Sequence, residues 1–422
     1  MTAAAVLPRH TSGRFWALAA VLGAVVLAGL GAAHYMEESG HVVTGMNNRI
    51  VWGMPHVFAI FLIVAASGVL NVASVGSVFG QAAYKSRAPL SGLLCIGLLA
   101  GGLAVLMLDL GRPERMIVAA THYNFTSVFA WNVFLYTGMF AIVAVYLWTL
   151  LERRMNGYSG AAGLAAFVWR FVLTTGTGMI FAFLVARQAY GSALLPPLFI
   201  VMSLAWGTAV FLAVQAALYA GNGRTIPPEI LRRIRNLLGI FIAAVLYFTL
   251  VYHLTNAYFA KQVAFTRFIL VDGGVYPLLF WVGFVAIGSV LPLALIWHPK
   301  LGKPRCVVAA SLLTIVGAFA LLYVFIVGGQ AWPLEIFPGY ATSSTFADGT
   351  IASYSPSLPE VLLGLGGVAI ALLIAVVGLH VLPFAPAEPP QGRDAPSGGD
   401  ARSAARGGAP APVDEAATKS TT

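Results

Sequence analysis

The sequence predicts an all-α integral membrane protein of about ten transmembrane helices, and three observations carry that prediction. Of 422 residues, 59% are hydrophobic and 9% are charged, where a soluble domain carries roughly 25% charged residues. The mean hydropathy is +0.85. The apolar runs are long and continuous, without the alternation of barrel strands. In lipid every backbone N–H and C=O must be satisfied within its own segment or in a closed barrel, so runs of this kind are helices.

Taken in order, the spans fall at 14–34, 51–79, 90–109, 127–151, 165–187, 194–220, 236–258, 276–297, 305–328 and 359–383. Each supplies the roughly 20 residues a crossing needs. The first follows Arg9 and Arg14 and ends near the small residues Gly31 to Ala33. Its apolar stretch is longer than a signal-peptide core, so it reads as a retained anchor. The second opens at Trp52-Gly53. The third ends at Asp109, where Gly111 and Pro113 stop the helix. Arg187 closes the fifth. The connections are short except 329–358, a Pro-, Gly-, Ser- and Thr-rich loop with Trp332, Phe337, Tyr340 and Tyr354. Its aromatic residues predict that it packs against something. The transmembrane domain therefore covers 1–383, and 384–422, rich in Pro, Ala, Gly and Ser, reads as a disordered tail.

Net charge is +9, but no basic run with interleaved aromatics lies outside the spans, so no nucleic-acid partner is expected. The basic residues follow the positive-inside pattern instead. Thirteen Lys and Arg fall on the side of the N-terminus and six on the other. This puts both termini in the cytoplasm and the loops 35–50, 110–126, 188–193, 259–275 and 329–358 outside. In a bacterium that describes a multi-pass protein of the inner membrane facing the periplasm. Cys95 and Cys306 sit in no CxxC or CxxCH pattern, so the chain by itself is expected to hold no iron–sulfur cluster, c-type haem or other metal.

Polar groups inside spans are costly and therefore informative. His56, Asp109, Arg187, Tyr252, His253 and Asn256 all fall near the outer ends of their spans. His56, Ser67, Asn71 and Ser74 share one stripe of the second helix. That stripe is either a polar seam or close packing through small residues such as Gly68 and Gly76. His56 either binds a ligand or donates to a neighbouring carbonyl. Asp109 either holds a helix end to its loop or exchanges protons at the mouth of a site. Arg170 is expected to snorkel to the cytoplasmic surface. His56 and His253 lie at similar depth, which leaves a haem b between them open. No ladder of buried carboxylates crosses the span, so no proton path is evident.

From 34 to 330 the chain resembles the NrfD/PsrC family of quinone-interacting membrane subunits. The resemblance rests on Trp52-Gly53, on the turn Leu108-Asp109-Leu110-Gly111-Arg112-Pro113, on Asn124-Phe125-Thr126-Ser127 followed by Trp131, and on Leu195-Pro196-Pro197-Leu198-Phe199. Within the family, the runs GMPHVFAIFLIVAASGVLNVASVGSVFG and NFTSVFAWNVFLYTG resemble the DsrP branch, the ten-helix membrane subunits of DsrMKJOP complexes in dissimilatory sulfur metabolism. The resemblance implies two four-helix bundles, helices 2–5 and 6–9, flanked by helices 1 and 10. It implies a site for menaquinone or ubiquinone in the first bundle near the periplasmic face. It also implies a periplasmic ferredoxin-like iron–sulfur partner, with further membrane and cytochrome subunits. His56 matches the family's first-bundle histidine, and Asp109 the carboxylate of the turn that Gly111, Arg112 and Pro113 shape. Some members place a Tyr before Thr-Gly on the fourth core helix as a donor to quinone. Here Gly176-Thr177-Gly178 stands in that place, which leaves Tyr190 or Arg187 as donors, with Asn71, Tyr252 and His253 as secondary candidates. The expected function is electron exchange between quinone and the iron–sulfur partner. The alternatives are a secondary transporter, with a broken helix at Thr174 to Gly178, and an anchoring subunit with no quinone site.

Overall fold

The computed structural model describes residues 13–298, 303–334 and 349–386, and these contain no β-strand. Among them ten helices are long and apolar enough to cross a membrane. They are α1 (Gly13–Ser39), α2 (Met54–Ser77), α3 (Ala88–Leu108), α4 (Val128–Leu151), α5 (Ser159–Ala182), α6 (Leu195–Gly221), α7 (Pro228–Tyr258), α8 (Val275–Trp297), α9 (Pro304–Ala331) and α10 (Leu358–Val381). Six of them, α2, α3, α6, α7, α9 and α10, carry proline at the first or second position, where the missing N–H has no intrahelical partner to lose.

The spans differ from the sequence reading most in α7, in α5 and at the end of α1, which runs on to Ser39. α7 begins at Pro228 rather than at 236, because its first two turns carry Glu229, Arg232, Arg233 and Arg235, which hide a helix from hydropathy. α5 begins at Ser159 and ends at Ala182, so Arg187 lies in the following turn instead of closing the helix. α5 runs as unbroken α-helix through Thr174 to Gly178, so the broken helix a transporter would place there is absent.

α2 is the centre of the molecule. It is buried along its length, and it packs on α3, α5, α6, α9 and α10. Apolar and small side chains cover most of α2, and Ser67 and Asn71 on its polar stripe are bonded to neighbouring helices, as such a position requires. α3 continues to α4 and α4 to α5, while α6, α7, α8 and α9 are neighbours in order and α9 returns to α6. α10 lies on α3 and α2, and α1 lies on α10. The α2–α6 contact is made through bare backbone, since a methyl group on Gly68 would overlap the Ser203 carbonyl and one on Gly207 would overlap the backbone of Gly68. Interfaces of this kind gain dispersion contacts where lipid offers no hydrophobic drive.

Two helices leave the α-helical register. α8 is π-helical over Leu279–Val290, and α9 over Val324–Gly328. The wider turn in α9 leaves carbonyls for other donors. The Tyr190 hydroxyl lies 3.2 Å from Phe325 O and 3.0 Å from Ile326 O, and Gln330 Nε2 donates to Ile326 O at 2.9 Å.

Of the long loop, Trp332 packs against Phe265 and Phe268, and Tyr354 lies over α2. Phe337 and Tyr340 lie outside the described residues, as does the tail from 387 onward.

Candidate functional site

The site is built where α2 begins and α3 ends. Gly53 caps α2, and only a glycine fits there: a Cβ would sit 2.5 Å from Glu360 Oε1 and 2.7 Å from the Tyr354 hydroxyl. Those two groups come from α10 and the segment before it. Glu360 is fully buried and accepts from Gly45 N at 2.9 Å, Ser357 N at 2.7 Å and Tyr354 Oη at 2.6 Å. Tyr354 Oη in turn accepts from Met54 N at 2.6 Å. Burial, with the Glu360 carboxylate alongside, raises the Tyr354 hydroxyl well above its ordinary range, so it stays a donor.

One turn into α2, His56 Nδ1 lies 2.9 Å from Asp109 Oδ2. Asp109 ends α3, with its own amide bonded to Val105 O at 3.0 Å and its carbonyl 3.1 Å from His41 Nε2. Gly111, next in the turn, comes within 3.5 Å of the His41 ring at its Cβ position. Trp52 stacks on His56 at 5.6 Å, with Phe129 and Phe181 around it. The Asp109 side chain is 1% exposed and that of His56 is 16% exposed. The carboxylate therefore fixes the ring from behind, and the imidazole is the more open of the two groups. Asp109 Oδ1 is buried and has no hydrogen-bond partner among the described residues. Phe125, Phe129, Leu110 and Ile117 in the following segment are exposed apolar residues, as a lipid-facing approach requires. Chemically the pair can hold a proton on an oriented imidazole and stabilise the resulting charge.

Arg187 and Tyr190 join this end from a different side. Arg187 donates to Gln330 O at 3.0 Å and to Arg49 O at 2.9 Å, and burial lowers the pKa of its guanidinium. Gln330 binds the backbone ahead of α2, accepting from Val51 N and Trp52 N, each at 3.1 Å, and donating to Trp52 O at 2.9 Å. Tyr190 is buried against Phe181 and Phe325 with its hydroxyl on the π-turn of α9. Both residues reach the His56–Asp109 pair through Gln330, Trp52 and Phe181.

Asn71 is deeper in α2. Its Nδ2 donates to Leu204 O at 3.1 Å and Thr208 Oγ1 at 3.0 Å, and its Oδ1 accepts from Arg170 Nη1. Arg170 is 3% exposed, with its guanidinium 5.0 and 4.5 Å from the Phe167 and Phe171 ring centres. It does not snorkel. With α5 starting at Ser159, Arg170 lies mid-helix, too deep to reach the surface, and it turns inward. Tyr252 donates to Ala189 O, and His253 stands edge-on to Tyr252 and Phe280. His56 and His253 share no ring neighbour among the described residues.

The family model for NrfD, polysulphide reductase, matches residues 42–333. The chain belongs to the NrfD family. Among its relatives, the Hdr-like menaquinol oxidoreductase integral membrane subunit of Archaeoglobus fulgidus is 29% identical over 88% of this chain and 94% of its own. A putative dimethyl sulfoxide reductase membrane subunit of Halobacterium salinarum is 29% identical over 90% of this chain and 93% of its own. The C component of polysulfide reductase from Wolinella succinogenes is 23% identical over 68% and 96%.

In this NrfD-family protein three further buried polar residues escape a reading of the sequence. Glu360 and Gln330 stand alone at helix ends and look like caps, yet Gln330 binds Trp52 directly and Glu360 reaches Met54 through Tyr354. Tyr136 is the third. It precedes Thr137-Gly138 on α4, is 8% exposed, and its hydroxyl meets Thr177 of α5. A phenol therefore stands beside Gly176-Thr177-Gly178 after all, supplied by the neighbouring helix; its signal was the Tyr-Thr-Gly in the run ending at Gly138.

Proposed function

We propose that this chain is the quinone-reactive membrane subunit of a multisubunit oxidoreductase, with the quinone head at the His56–Asp109 pair. The 2.9 Å bond between His56 Nδ1 and Asp109 Oδ2 carries the proposal. It orients a partly open imidazole whose Nε2 is left to bind an oxygen of the head. A quinone supplies two-electron chemistry coupled to two protons. His56 takes or returns a proton at Nε2, Asp109 stabilises the imidazolium, and the Trp52 ring keeps the imidazole in place. Tyr136 is a second donor, Asn71 lies deeper on the same helix, and Arg187 and Tyr190 frame the site. The names of the relatives, a menaquinol oxidoreductase subunit among them, support a quinone and favour menaquinone over ubiquinone.

The finer reading places the pair on the periplasmic side of a bacterial inner membrane, as the distribution of Lys and Arg supports. Electrons then pass to or from a ferredoxin-like iron–sulfur subunit docked there, in a complex of dissimilatory sulfur metabolism of the DsrMKJOP type.

The test is quinol-driven reduction of the iron–sulfur centres in the purified complex, comparing wild type with His56→Ala and Asp109→Asn. Both variants are expected to assemble and to react about 10²-fold more slowly or worse, the range for a lost general acid–base. Variants that assemble and react like wild type would place quinone elsewhere or leave the protein an anchor.

A further inference from the structure

α6 begins and α7 ends at the same face of the molecule as the start of α2 and the end of α3. That second junction also holds a cavity. A cleft of about 250 Å³ opens between Gly191 to Leu194, ahead of α6, and Thr255, Asn256, Phe259 and Gln262 at the end of α7. Gly191, at φ +74°, turns the chain into α6 there. Asn256 is 1% exposed and lines the cleft, and its Nδ2 has no hydrogen-bond partner among the described residues. The Tyr252 hydroxyl one turn back donates to Ala189 O and offers the Asn256 amide at most one acceptor, which leaves at least one of its two N–H groups to the cleft. One turn deeper a void of about 20 Å³, room for about one water, is bordered by Thr249 and His253 with Leu198, Met202 and Phe325. Thr249 Oγ1 and His253 Nδ1 are likewise buried without a partner.

Buried polar groups are rarely left unpaired, and three along one helix call for a shared explanation. The Asn256 amide N–H can only donate, so the partner it lacks in the cleft presents an acceptor oxygen; Thr249 Oγ1 and His253 Nδ1 border the separate, water-sized void. No Lys, Arg, Asp or Glu lines either cavity. A phosphate or carboxylate would therefore meet no counter-charge, and a neutral carbonyl fits better. Leu254, Tyr258 and Phe259 on the same stretch of α7 are exposed apolar residues, a track for a hydrocarbon tail. The cleft is small for a drug-sized ligand and suits one ring system.

We propose that this cleft is a second binding site, taking the ketone-bearing ring of a prenylated quinone. The amide of Asn256 donates to one carbonyl oxygen and the tail runs over α7. The cleft lacks the His–carboxylate pair of the first junction, so it holds the quinone without exchanging protons with it. The choice of quinone as occupant rests on the function proposed above; the existence of the cleft does not.

The experiment is photolabelling of the full complex in phosphatidylcholine nanodiscs with a short-tailed azido-naphthoquinone, the labelled peptides being mapped by mass spectrometry. Two labelled regions are expected, one around His56 and Asp109 and one within 191–194 or 255–262. Asn256→Leu, and Asn256→Asp, which keeps the shape but turns the donor into an acceptor, should each lower labelling of the second region at least tenfold and leave the first labelled. His56→Ala should do the reverse. Labelling confined to the first region overturns this inference alone. Second-region labelling that ignores both Asn256 variants, or that excess phosphatidylcholine competes away while an unreactive naphthoquinone does not, also overturns it, the latter in favour of a lipid ester. Loss of the first region only, with the second intact in wild type, would fail the proposed function and leave this site standing.

Discussion

Replacing Glu360 by Gln tests whether a carboxylate of α10 holds the start of α2. The side chain accepts three hydrogen bonds, from Gly45 N, Ser357 N and Tyr354 Oη, at 2.9, 2.7 and 2.6 Å. Glutamine keeps one acceptor oxygen. Turned toward the two backbone amides, it leaves the Tyr354 hydroxyl proton without an acceptor; turned toward Tyr354, it sets an NH₂ against two N–H donors. The better arrangement loses one charge-assisted bond and leaves one buried hydroxyl proton unmatched, a cost of about 2 to 4 kcal/mol. The unfolding equilibrium then shifts by roughly 30- to 700-fold, at about 1.4 kcal/mol per decade. Reversible unfolding in mixed micelles reads this directly. A cycle with Tyr354→Phe should return a coupling of at least about 0.5 kcal/mol. A Gln variant within about 0.5 kcal/mol of wild type, the range of an ordinary surface change, would show that the three bonds do not carry the junction.

Gly68→Leu should block the α2–α6 crossing and cost more than the usual 1 to 3 kcal/mol of overpacking, read as loss of folded protein after detergent extraction; Gly31→Ala, at a position with open space around it, should be neutral in the same assay. Gln330→Leu removes bonds to Val51, Trp52 and Ile326 and should lower stability by at least about 2 kcal/mol in chemical unfolding. Asn71→Leu leaves Arg170 Nη1 without its acceptor, and should cost about 1 to 3 kcal/mol more than Ser74→Ala in the same measurement. Tyr190 and Tyr354, both outside the spans, have pKa values raised by burial from 10.0. Their folded-state values lie above the unfolded ones, so stability is level below about pH 10 and falls as pH rises past it; unfolding scans between about pH 8 and 11 should show the fall, and Tyr354→Phe should lessen it.

The ten spans were legible because lipid imposes a length and a polarity that sequence displays directly. What hydropathy could not show were helix turns that leave the apolar layer, as at the charged start of α7, and that limit also misplaced Arg170. Its depth follows from where α5 begins, and the start lay among small residues, Ser159 to Gly163, that score weakly in hydropathy. His56 and Asp109 stood out as ionisable groups near one face and as family positions, but 53 residues separate them and their contact is a product of how α2 and α3 pack. Glu360 and Gln330 were invisible for a related reason: each acts on backbone some 300 residues away in sequence, and backbone partners leave no compositional trace.

At the α2–α6 crossing backbone lies directly on backbone, and that limits how the molecule can move. Rocking one group of helices against the other, as alternating access demands, would need those two backbones to slide or part, and no flexible side chain lies between them to cushion the stroke. The crossing acts as a weld. A protein joined in this way keeps the His56–Asp109 pair at a fixed address in the bilayer, and whatever meets the pair has to come to that address.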